Sequence, residues 1–169
     1  MHPHEELIDR LYRSLNAHDH DEMAECYHEE ATFHDIANRF QGEDQIHDMW
    51  KLVTCEKLKL KATFGIIRAQ DNTVHAWLID DYLFPGPPSR PVINVILSFF
   101  RFRTDSTGQP KIIEHRDVCD PILWANMAMT GAKAWLAGHF RLARTVGFKI
   151  ELSKFLQKKS PYNEDAPVA

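Results

Sequence analysis

The sequence predicts an α+β fold, an antiparallel sheet with helices segregated onto one face and extra helices at the C-terminus; strong curvature would wrap such a sheet around the helices. Three observations predict it. Residues 4–55 place most apolar side chains at helical spacing, residues 57–117 shift to a period of two broken by tight-turn signals, and helical spacing returns from Pro121.

The elements follow in order. Leu7, Ile8, Leu11 and Leu15 share a helical face over residues 4–16, preceded by Pro3. The stretch from Asn16 to Asp19 breaks that helix, and Asp19 is placed to cap a second one over 20–29, with Met23, Ala24 and Tyr27 inward. Residues 31–36 read as a short strand and 43–55 as a third helix, with Ile46, Met49, Trp50 and Val53 on one side. KLKLKATF, from Lys57, alternates polar and apolar, the mark of a strand with one wet face. Asp71-Asn72 is a turn signal, after which 73–84, 92–103 and 111–117 read as three long strands. The tight turn, PGPPSRP at 85–91 and TDSTGQP at 104–110 fit antiparallel neighbours. Pro121 is placed to start a helix over 122–138, and a last amphipathic stretch over 139–157 precedes the polar tail SPYNEDAPVA, expected to fray. The division is 1–120 for the α+β domain, 121–158 for a helical extension of it and 159–169 for the tail.

Bulk properties narrow the function. The 169 residues carry a net charge of −4 and no basic stripe, so nucleic acid is not an expected partner. No apolar run approaches the ~20 residues of a membrane span, and MHPHEELIDR lacks an apolar signal region. Cys26, Cys55 and Cys119 have no C-x-x-C spacing and read as free thiols of a reducing cytoplasm. No glycine-rich phosphate loop and no G-x-S-x-G elbow is present.

Four segments carry a resemblance: LYRSLNAHDHDEMAECYHEEATFHD at 11–35, the QG and helix at 41–53, ILSFFRF at 96–102 and KIIEHRDVCD at 111–120. Together they resemble the NTF2-like superfamily, in particular its SnoaL-like and ketosteroid-isomerase-like members, over about residues 5–120. The resemblance implies a cone around a pocket for a small apolar organic ligand, a homodimer formed through the open sheet face, and no cofactor. It puts Asp35 on the position of the general base. The oxyanion-hole Tyr falls on Leu11 and the oxyanion-hole carboxylic acid on Ser98, so both acidic donors are missing.

The resemblance places Asp35 inward, where lost hydration raises a carboxylate's pKa. His115 and Asp117 share one strand face, ~6.5–7 Å apart along the chain, and the resemblance puts them on the pocket wall. In this set Asp35 takes a proton, His115 donates one or polarises an oxygen, and Asp117 orients the imidazole. Phe33, Met49, Trp50, Trp77, Tyr82 and Ser98 are the candidate lining. The plainer alternatives are a turn-capping Asp35 and a core His115. The histidines of His18-Asp-His-Asp21 sit in a turn where the side chains diverge into water with no third ligand near, so no metal site is expected. The expected function is therefore cofactor-independent proton transfer by an isomerase, dehydratase or cyclase. The alternative is a non-catalytic binder or dimeric assembly module. Trp124, Met127, Met129 and Trp135 form either a lid over the mouth or packing outside the sheet.

Overall fold

The computed structural model describes residues 3–159, with side chains to residue 154; the tail SPYNEDAPVA and the side chains of Phe155 and Leu156 lie outside the described residues. Six strands form one curved, unclosed sheet in the order β2-β1-β6-β5-β4-β3. They are β1 (Tyr27–His34), β2 (Arg39–Gln41), β3 (Lys61–Gln70), β4 (Thr73–Phe84), β5 (Arg90–Thr104) and β6 (Pro110–Val118). Helices α1 (Pro3–Ala17), α2 (His20–Ala24) and α3 (Glu43–Val53) come from the N-terminal part, and α4 (Pro121–Ala128), α5 (Gly131–His139) and α6 (Arg141–Lys159) follow the sheet. Among the described residues no helix is long and apolar enough to cross a membrane.

The core lies between the concave sheet face and the N-terminal helices. Helix α1 buries Leu7, Ile8, Leu11 and Leu15, as its spacing predicts, and also Tyr12. Each fully buried aliphatic side chain of this kind contributes about 1.5–3 kcal/mol. Strand β5 alternates strictly: Val92, Ile96, Ser98, Phe100 and Phe102 are buried, while Ile93, Val95, Leu97 and Phe99 are exposed on the convex face. The Asp19 side chain caps α2 by accepting from the Glu22 N–H at 3.0 Å, and Asp120 caps α4 ahead of Pro121.

Several expectations are corrected. The second helix stops at Ala24 rather than running to 29, because Tyr27 onward pairs in parallel with β6. That strand ends at His34, leaving Asp35 and Ile36 to a turn, and the unforeseen β2 pairs with it through Phe33↔Phe40. Turns run through Leu58 and Lys59 takes φ 49°, so β3 begins at Lys61. The single helix expected over 122–138 is two, broken where Met129 is extended and Gly131 takes φ 60°.

Candidate active site

Strand register gathers polar side chains on the concave face. Asp80 on β4 lies opposite Asn94 on β5, and Ser98 on β5 lies opposite Asp117 on β6. His115, two residues before Asp117, is fully buried and belongs to a linear network. Its Nε2 lies 2.9 Å from Asp117 Oδ1 and its Nδ1 lies 2.7 Å from the Tyr27 hydroxyl. The Ser98 hydroxyl donates to the same Asp117 Oδ1 at 2.6 Å. The tautomer with its proton on Nε2 satisfies the set: His115 donates to Asp117 and accepts from Tyr27. Phe100, Phe33 and Trp50 surround the imidazole, with ring centroids 4.2, 4.5 and 6.5 Å away. Both ring nitrogens are thus occupied within the protein, whereas only one oxygen of Asp117 receives these two bonds.

Asp35 closes a turn and is largely buried. Its Oδ1 accepts from the backbone N–H groups of Ala37 (2.6 Å) and Asn38 (2.5 Å), closing the turn after β1. Burial nevertheless raises its pKa, those two bonds oppose the rise, and the Asp117 charge adds to it. Arg144 donates to the Ile36 carbonyl at 2.9 Å and Thr145 donates to the Ala37 carbonyl, so α6 holds the turn from outside.

The candidate lining divides. Phe33, Met49, Trp50 and Ser98 are buried in the interior. Tyr82 stands half-buried and accepts a hydrogen bond from Trp124 Nε1 at 2.8 Å, which places α4 over that end of the sheet. Trp77 is a correction. The buried phase of β4 runs Val74, Ala76, Leu78, so Trp77 faces the convex side and lies over Gly65, where a Cβ would sit 2.7 Å from its Nε1. Of the possible lid residues, Trp124 reaches Tyr82, whereas Trp135 is exposed. Two open clefts lie elsewhere, one of about 410 Å³ beside Trp135 and His139 and one of about 510 Å³ beside Gln41 and Arg103; no candidate site residue lines either.

Two interior groups escape the sequence reading. Asp80 sits where the buried phase of β4 continues, and its pKa is pushed up to about 8, first by burial and then by Asp117. Tyr12, one residue from the position that the resemblance gives to Leu11, is completely buried beside Ser98, Asp117 and Asp80, and burial raises its pKa. A phenol and a protonated carboxyl therefore occupy the interior, from positions other than 11 and 98. The Tyr12 hydroxyl, Trp50 Nε1 and Asp80 Oδ1 are buried without a hydrogen-bond partner among the described residues; Ser98 and the Tyr27 hydroxyl stand near the first two without closing a bond. The signals were available, because Tyr12 is four residues after Ile8 and Asp80 two after Leu78.

A further correction concerns His20 and Asp21. They do not diverge from every other ligand-bearing group: helix α3 brings His47 against them.

The fold has known counterparts. No curated protein matches the sequence. A hypothetical protein with a ketosteroid isomerase-like fold from Catenulispora acidiphila, solved in complex with trimethylamine, superimposes with a TM-score of 0.60 at 16% identity, covering 73% of this chain and 92% of that one. The epoxide hydrolase/cyclase-like enzyme SalBIII gives a TM-score of 0.57 at 18% identity, covering 68% and 88%. A protein of unknown function from Mycobacterium tuberculosis, solved as a point variant, gives 0.57 at 14% identity and covers 91% and 88%. At these identities the likeness concerns the fold. The sequence itself matches the SnoaL-like domain model over residues 8–115, from α1 to the buried histidine of β6, and on that match the chain belongs to the SnoaL-like domain family.

Proposed function

We propose that the protein is a cofactor-independent enzyme that moves a proton on a small, largely apolar organic molecule held against the concave sheet face, as an isomerase, dehydratase or cyclase. One observation supports this above the others. The interior holds titratable groups and orphaned polar atoms together, and a purely structural core leaves few such atoms unsatisfied. Asp117 carries the interior charge, steadied by His115 and Ser98. Asp35 is the base: it takes the proton of a substrate C–H or O–H bond, whose electron pair moves toward a substrate oxygen, and it gives that proton up to product or water before the next turnover. Asp80, protonated near neutral pH, returns a proton to a substrate oxygen, with the Tyr12 hydroxyl as a second donor. His115 becomes a positioning residue rather than the proton donor. The family's structural neighbours point the same way: one is solved with a small amine and another is described in pyran ring formation.

A generic proton-transfer probe, 5-nitrobenzisoxazole, tests the reading. Ring opening follows removal of its C–H proton and is read as the coloured phenolate. Asp35→Asn and Asp80→Asn are each expected to lower the rate by about 10²–10⁴-fold while the fold persists, since the amide oxygen of the first variant still accepts the turn bonds. Unchanged rates in both variants would sink the assignment.

A homodimer in the cytoplasm completes the proposal, and the apolar convex face favours it. Ile93, Val95, Leu97 and Phe99 are 38–57% exposed in a row along β5. Val95→Lys with Leu97→Lys is expected to halve the sedimenting mass at micromolar concentration. A wild-type protein that sediments as a monomer refutes the pairing but leaves the interior chemistry standing. If the chain dimerises and never turns over the probe, the non-catalytic assembly module becomes the better reading.

A further inference from the structure

Helices α2 and α3 bring together three side chains that the interior chemistry does not use. His20 and Asp21 open α2, and His47 sits within α3. Nε2 of His47 lies 2.7 Å from Asp21 Oδ1, and Nε2 of His20 lies 3.7 Å from the same oxygen. The two imidazole centroids are 5.5 Å apart, and ligand atoms from all three residues fall within 4.8 Å of one another.

A tetrahedral zinc ion, with bonds of about 2.0–2.1 Å, sets its ligand atoms roughly 3.3 Å apart. The observed separations lie on either side of that value. Both histidines keep over a quarter of their side-chain surface exposed and Asp21 keeps 75%, so sub-ångström adjustments need no repacking. Two imidazoles and one carboxylate suit borderline divalent ions, whereas calcium and magnesium favour all-oxygen sets. Three protein ligands leave a coordination position for water.

We propose that His20, Asp21 and His47 form a binding site for a divalent transition metal, zinc being the reference ion, that clamps α2 to α3. The exposure of the carboxylate makes the affinity weaker than that of a closed structural site. The clamp bears on both walls of the interior. Helix α2 leads into the strand that begins with Tyr27, and α3 carries Met49 and Trp50.

The test is calorimetric titration of the full, untagged chain with zinc chloride, paired with thermal melts. One saturable site is expected, with the melting temperature rising by about 5–10 °C at 100-fold excess over Kd. His20→Gln and His47→Gln, which melt normally without metal, are each expected to weaken binding by at least ~10-fold. Absence of saturable binding up to millimolar zinc overturns the proposal. So does binding that survives in the double variant, because the ion then sits on others of the chain's ten histidines. Neither outcome bears on the interior proton chemistry.

Discussion

Replacing His115 with Ala is expected to lower the unfolding free energy by about 4 kcal/mol, read from urea denaturation at fixed pH. The loss has separable parts. The imidazole is fully enclosed among Phe33, Trp50 and Phe100, so truncation leaves a cavity in packing that relaxes only in part. It strips the Tyr27 hydroxyl of its partner, and an orphaned buried hydroxyl costs about 1–3 kcal/mol. Asp117 loses one of the two donors on its Oδ1, leaving that carboxylate less compensated. His115→Phe, which refills the volume without the bonds, is expected to recover about half of the deficit. A loss under about 1 kcal/mol in the Ala variant would show that the network does not hold the interior together.

The second large effect is a pH-dependent gain. Asp80→Asn is expected to stabilise the fold at pH 9 by on the order of 3 kcal/mol, and to do little at pH 4. The sign follows from proton binding. Unfolded, Asp80 titrates at the ordinary value of 3.8; folded, burial and the Asp117 charge move it to about 8. Between these values the native chain binds the extra proton. Native stability therefore falls as pH rises through that window and levels off above it. Asn lacks the titration, so the difference between variant and wild type opens with rising pH. Melts across pH 4–9 measure it, and parallel curves would contradict a buried, protonated Asp80. The same variant loses the acid of the proposed reaction, so stability gained and rate lost come from one substitution.

Strands β4, β5 and β6 and helices α1 and α3 were legible because their apolar residues keep a clean period, two along β5 and roughly 3.6 along α1. His115 and Asp117 were legible as a pair, since alternation puts them on one strand face; that Ser98 stands opposite Asp117 follows from strand register, which the structure supplies. What escaped depends on contacts between distant parts of the chain. Residues 27–29 read as the end of a helix until β6 supplies a parallel partner, and His47 joins His20 only because α3 packs on α2. Asp80 and Tyr12 were missed for a different reason. Each breaks the chemistry of its stripe without breaking its phase, so the pattern marks the position as buried while the residue type draws the eye elsewhere.

The grip of α6 on the carbonyls of Ile36 and Ala37 has a wider consequence. The matched domain ends at residue 115, so the hands that steady Asp35 belong to polypeptide appended after it. A scaffold inherited by many proteins can in this way acquire its own temperament from a late segment. A substitution in α6 is therefore expected to reach the turn that Asp35 closes while leaving the sheet's pairing unchanged.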